Sequence, residues 1–167
     1  MNIARFFAVL LLALSLSSIA VAQETVVENE EFGVTITPPS AWEVNASDDK
    51  AVANFKHPDS NSQIQVIGTK LMSKDVADVF FSTFHKTLTE SNFEEVSAAD
   101  SSIGEQQGRL STYSYTHSGQ TVNVVVFDFI REGTAWLVIG YMPESESEKL
   151  RADFDATVTS MSFEAAE

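Results

Sequence analysis

Cysteine is absent from the 167 residues, which removes disulfides, thiolate nucleophiles, thiolate metal sites and a lipid-modified cysteine anchor together. Basic residues are scarce: ten Lys and Arg stand against 24 Asp and Glu, for a formal net charge of -14. So acidic a chain repels phosphate backbones and anionic membrane surfaces, and no basic stripe interleaved with aromatics offsets this, so a nucleic-acid partner is not expected. Seven glycines include neither G-x-x-x-x-G-K-[ST] nor G-x-G-x-x-G, so no phosphate cradle is encoded. The three histidines, His57, His85 and His117, lack metal-ligand spacing such as H-E-x-x-H and read as solvated or satisfied single side chains. Asp48 with Asp49, and Glu144, Glu146 and Glu148, lack the pattern of an EF-hand loop.

What is present begins with "MNIARFFAVLLLALSLSSIAVA". Arg5 precedes an apolar run, and Ala20 and Ala22 occupy A-x-A positions before Gln23, so a signal peptide over 1-22 with cleavage after Ala22 is expected. The run from Phe6 to Leu14 is shorter than the ~20 residues of a spanning helix. Removing the first 22 of 167 residues leaves 145, and losing Arg5 moves the net charge from -14 to -15. That length suits one domain burying roughly two thirds of its unfolded surface. The expected location is periplasmic or secreted, with no stable membrane anchor after cleavage. No repeat or linker divides the remainder, so the expected division is an acidic leader over 23-31, one domain over 32-163 and a frayed tail over 164-167.

"FGVTITPPSAWEVN" alternates Phe32, Val34 and Ile36 on one face with Thr35 and Thr37 on the other, the period of a half-buried antiparallel strand. Pro38 and Pro39 lack the amide proton that a ladder needs and end it, after which Trp42 folds back onto the sheet. "NASDDKA" reads as a turn, and "AVANFKHPDSNSQIQVIGTK" as a hairpin closed by His57 to Ser62. Residues 73-90 change period: Val76, Phe80, Phe84 and Leu88 form an apolar stripe with Ala77 and Val79 beside it, and Ser73 is the expected N-cap. From Gly108, three β-rich runs are divided by "HSGQ" and "REGT"; the middle one, Val122 to Ile130, is apolar on both faces and belongs inside a doubly covered sheet. A second helix follows Pro143, with Ser145 and Glu148 at capping-box spacing and Leu150, Phe154 and Val158 down one side. "TSMSF" returns as a short edge strand or packs Phe163. The order of elements predicts an α+β protein with an antiparallel central sheet flanked by helices.

Taken in order, "EFGVTITPPSAWEV", "ANFKHPDSNSQIQV", a helix and then "SSIGEQQGRLSTYSYTHSGQTVNVVVFDFIREGTAWLVIGYMPESESEKLRADFDATVTSMSF" resemble the bacterial extracytoplasmic PsbP-like proteins of the wider Mog/PsbP fold. The shared features are F-x-φ-x-φ-P-x-x-W, a P-D-S loop, a glycine before R-L, a hairpin, an aromatic strand and a last helix ending S-F, over about Phe32 to Phe163. The resemblance implies an α/β/α sandwich and a non-enzymatic, protein-binding role. Its relatives include an extrinsic subunit of the photosynthetic oxygen-evolving complex, a cofactor of a nuclear-transport GTPase, and periplasmic or lipid-anchored bacterial proteins. No catalytic, cofactor-binding or metal residue is carried over, and no cofactor is expected.

Asp128 is the one carboxylate in an odd setting, because it interrupts "VVVFDFI". A buried carboxylate shifts its pKa or takes a partner, and Arg109 and Arg131 are the candidates; the alternative places Asp128 at the layer edge near the strand's end. Gly33 and Gly68 mark bulges or close approaches. Tyr113, Tyr115, Phe127, Phe129, Trp136 and Tyr141 form core or cross-strand pairs rather than a ligand groove. The functional expectation is an accessory component of an envelope or membrane complex that binds an unknown protein partner without chemistry of its own. The alternatives are a small-ligand or cation carrier and, behind it, an esterase-like hydrolase whose Ser, His and carboxylate meet only in space.

Overall fold

A computed structural model describes residues 25-45 and 51-164, apart from the Lys74 side chain. Most of the "NASDDKA" turn, with Asp48 and Asp49, lies outside the described residues, as does the expected signal segment. Ten strands and two helices follow in chain order: β1 (Val27–Asn29), β2 (Val34–Ile36), β3 (Glu43–Val44), β4 (Ala53–Lys56), β5 (Gln63–Lys70), α1 (Ala77–Glu90), β6 (Glu94–Ile103), β7 (Gln106–His117), β8 (Gln120–Arg131), β9 (Thr134–Pro143), α2 (Ser147–Ser160) and β10 (Ser162–Phe163). A 3-10 turn precedes each helix. Every strand pairing is antiparallel.

Seven strands form the main sheet in the order β3-β4-β5-β9-β8-β7-β6, and β1-β2-β10 form a small second sheet. The strand ended by the two prolines therefore belongs to the small sheet, a correction to the expectation that the strands share one central sheet. Val27–Asn29, within the stretch read as leader, supplies its first strand, and "SF" returns as its edge. Trp42 does fold back: it is buried in the core, and its Nε1 donates to Asp153 Oδ2 of α2 at 3.0 Å. Trp42→Phe keeps most of the apolar burial and loses that bond, so a cost of about 1 kcal/mol in urea unfolding is expected.

Parity along the central strands divides the core. Val125, Phe127, Phe129, Trp136 and Val138 cluster with Leu150, Phe154 and Val158 of α2 and with Val34 and Ile36. Val124, Val126, Leu137 and Ile139 cluster with Tyr113 and with Phe80, Phe81, Phe84 and Leu88 of α1. Strand β9 is buried along nearly all its length because it lies fourth of seven.

Three further expectations are corrected. The meander has four strands, because β6 precedes the three that the sequence announces. Ser73 does not cap α1, whose first turn grows out of a 3-10 turn with no side-chain cap bond; its carbonyl accepts from Val76 N instead. Ser145 likewise does not cap α2, which starts from Glu146 with no side-chain bond. Gly68 is a close approach: a Cβ there would sit 3.0 Å from the Phe32 ring and 3.1 Å from Trp136.

Candidate functional site

Beside its apolar contacts, helix α1 meets the sheet through a polar cluster. His85 faces the strands one turn after Phe81, and its two ring nitrogens reach different ones: Nδ1 lies 2.7 Å from the Tyr113 hydroxyl on β7, and Nε2 lies 3.1 Å from Asp128 Oδ1 on β8. The Tyr113 hydroxyl donates to Glu95 Oε2 on β6 at 3.2 Å. His85 and Asp128 are mostly buried, with side chains 13% and 7% exposed, and Tyr113 has no exposed surface. The shallow depression over the cluster, about 490 Å³, is lined by Asp78, Phe81, Ser82, His85, Arg109 and Asp128.

Asp128 therefore faces the α1 layer, on the same side as Val124 and Val126, and takes a histidine rather than an arginine as its partner. Arg109 is its cross-strand neighbour but pairs at 3.8 Å with Glu95, and both of those side chains are about half exposed, so the pair contributes little. Arg131 lies on the opposite parity, over the Phe163 ring and hydrogen-bonded to Gln106. Of the other histidines, His57 accepts from Asp59 N and sits edge-on to Trp42, and His117 is exposed beside Tyr115. Tyr113, Phe127, Phe129 and Trp136 are core, as expected, while Tyr115 and Tyr141 are half-buried.

A histidine, a carboxylate and hydroxyls thus converge, and Ser82 lines the same depression. The arrangement is not that of a nucleophile and its base. A catalytic histidine orients one nitrogen with a carboxylate and keeps the other for the nucleophile. Here the second nitrogen is spent on a tyrosine closed to solvent, and Ser82 donates to the Val79 carbonyl oxygen at 3.1 Å. The Tyr113 hydroxyl has one proton; when it serves Glu95, His85 fills both its links only as imidazolium, and when His85 is neutral with its proton on Nε2, that hydroxyl turns to Nδ1. In either state both ring nitrogens of His85 are engaged, and neither is left to take a proton from a substrate.

Burial first, and then the Glu95 carboxylate, which repels a phenolate and accepts the hydroxyl's bond, push the Tyr113 pKa up to about 12 against the opposing charge of Arg109. Between pH 10 and 12 the folded chain holds a proton that the unfolded chain has released, so this group's contribution is complete below pH 10 and is lost as pH rises toward 12. An alkaline absorbance titration should show one tyrosine ionising near pH 12, and Tyr113→Phe should remove that step.

The other flank of α1 carries an apolar groove of about 530 Å³, lined by Leu71, Met72, Val76, Val79, Phe80 and Phe84. Met72 is 99% exposed and Val79 60%. Its polar members are engaged elsewhere: the Lys70 ammonium lies 5.4 Å from the Phe32 ring centroid, and Thr83 Oγ1 donates to the Val79 carbonyl at 2.6 Å. Among the described residues, no group of three His, Asp or Glu side chains is placed to hold a metal ion. No described helix is long and apolar enough to cross a membrane.

No family model and no curated protein matches the sequence. Solved structures do. Cyanobacterial PsbP from Synechocystis superposes with a TM-score of 0.60 at 13% identity, covering 90% of this chain and 98% of that one. LpqN of Mycobacterium tuberculosis, involved in cell envelope biogenesis, gives 0.61 at 16%, with 86% and 91% covered. The Ran-binding protein Mog1p of Saccharomyces cerevisiae gives 0.55 at 13%, with 83% and 94% covered. The chain has the Mog/PsbP-like fold. That fold also occupies part of a longer Bacteroides thetaiotaomicron protein, of which this chain spans 46% (TM-score 0.58, 15% identity, 80% of this chain). Within the Mog/PsbP-like framework, the polar cluster joins α1 to β6, β7 and β8 of the main sheet.

Sequence reasoning singled out Asp128 and missed its partner. The stripe read on α1 was Val76, Phe80, Phe84 and Leu88, which leaves His85 beside it; Val76 is in fact 39% exposed, and the face turned to the sheet includes Ala77, Phe81 and His85. Spacing from Phe81 to His85 was the available signal. Glu95 and Tyr113 had none, because their meeting depends on the register of β6 against β7.

Proposed function

We propose that this chain is an exported, non-enzymatic Mog/PsbP-like domain that works by binding another protein, as an accessory component of an envelope or membrane complex. In this reading, residues 1-22 are a signal peptide, 23-31 a leader, 32-163 the functional domain and 164-167 a tail, and α1 and α2 flank the main sheet as an α/β/α sandwich. The observation that carries the reading is the His85 cluster: both ring nitrogens of His85 are engaged within the fold, on Tyr113 and Asp128, so neither is offered to the Ser82 hydroxyl in the same depression. The Ran-binding description of one fold neighbour and the envelope-biogenesis description of another support a binding role outside catalysis.

The test is crosslinking in intact cells followed by identification of what co-purifies, alongside esterase, phosphatase and peptidase screens on the purified chain. A defined protein partner, recovered from the envelope fraction with a chain beginning at Gln23, is the expected result. Turnover of a small substrate, abolished by one substitution that leaves the fold intact, would contradict the proposal. So would a full-length chain confined to the cytoplasm.

A further inference from the structure

Strand β6 ends the main sheet, so one side of its backbone pairs with β7 while no strand among the described residues pairs with the other. It runs for ten residues, twice the usual strand, and is exposed over most of that length. Exposed edges are normally blunted by charge, bulges or proline, because a row of free N–H and C=O groups templates another strand. In β6 such protection is concentrated at one end: Glu94 and Glu95 stand beside a register shift between Glu95 and Ser97, where Val96 is left unpaired. From Ser97 to Ile103 the ladder is regular, the only charge is Asp100, and Ala98 and Ala99 are small enough to let another backbone approach.

We infer that Ser97–Ile103 of β6 is a strand-addition site that receives an extended, basic segment of the partner protein. The inference rests on the protein-binding reading above. Main-chain hydrogen bonds supply affinity in this mode, and side chains at alternate positions supply selectivity. Charge selects the occupant. Asp100 is the one ionised side chain of the Ser97–Ile103 stretch; its cross-strand neighbour Arg109 lies 3.8 Å from Glu95, and Glu94 and Glu95 add further negative charge at the end of the strand. A second copy of the chain would bring a second acidic edge against the first, whereas Lys or Arg on an incoming strand meets Asp100 within the stretch.

A photo-crosslinking side chain at Ser102, which is exposed, should capture a partner in intact cells, and peptide mapping of the adduct should return an extended stretch carrying Lys or Arg. Neighbouring N–H groups on a strand point to opposite sides. Of Ala98→Pro and Ala99→Pro, the one whose N–H faces away from β7 should therefore keep the thermal unfolding midpoint of the parent and lower the adduct yield about tenfold. Asp100→Lys should lower it similarly. An adduct indifferent to the tolerated proline, or mapped to an acidic or helical segment or to a second copy, overturns the inference. Capture from a probe at Val79 with none from Ser102 overturns the edge site and leaves the protein-binding reading standing. Absence of any protein adduct from either position overturns both.

Discussion

His85→Leu is expected to destabilise the protein by about 3 kcal/mol in equilibrium urea unfolding. Leucine fills much of the same space, so the loss is polar: the Asp128 carboxylate, buried under α1, is left without its partner at 3.1 Å. Removing one member of a buried pair costs more than the pair contributes, because the survivor remains desolvated. The double variant His85→Leu with Asp128→Leu should therefore be less destabilised than the sum of the single variants by about 1–2 kcal/mol. Asp128→Asn keeps a carbonyl oxygen for His85 Nε2–H and should cost much less than His85→Leu. A His85→Leu cost within about 0.5 kcal/mol of zero, the range of an ordinary surface change, would mean that the cluster does not hold α1 to the sheet.

Gly108→Ala is expected to cost about as much, roughly 3 kcal/mol, for a steric reason. A Cβ on Gly108 would run into the Asp128 carbonyl oxygen and come within 2.9 Å of Phe129 Cβ. Backbone on a central strand cannot swing aside as a flexible side chain can, so β7 and β8 must separate where they carry Arg109 and Asp128. Gly119→Ala is the control: nothing lies within 4 Å of the added carbon, and only its positive φ of 78° opposes the change, at about 1 kcal/mol. Equal costs at the two positions would show that β7 and β8 are not as close at Gly108 as described. A loss of the Tyr113 high-pH step in Gly108→Ala, with the fold retained, would show that the shift reaches the polar cluster.

These two sites also mark how far the sequence could be read. Period and punctuation located most of the elements that bury a face: the two prolines after Ile36, the hairpin around Pro58, the glycines of "HSGQ" and "REGT", and the stripe of Leu150, Phe154 and Val158. The turn glycines sit at positive φ, preceded by Ser118 and Glu132 in the same region, as tight hairpins require. What burial does not pattern was hidden. Strand β6 shows no alternation because it is exposed on both faces, and its pairing is imposed by β7. The small sheet was hidden because sequence periodicity marks a strand without naming its neighbours. In the candidate site, the parity of Val124, Val126 and Asp128 was legible and put the carboxylate on one face. Which helix covers that face, and hence the partnership with His85, is a property of tertiary packing. Gly108 gave only a glycine before R-L, with no hint that a neighbouring strand's carbonyl fills the space of its missing side chain.

The account turns on His85 being a closed structural tie and not an available base, and acylation of histidines by diethyl pyrocarbonate, followed residue by residue by mass spectrometry, tests this most directly. The prediction is rapid modification of exposed His117, and protection of His85 until the chain is unfolded. Modification of His85 in the folded protein at the rate of His117 would contradict the account, because it would mean that a ring nitrogen is free to meet a reagent and, by the same opening, a substrate.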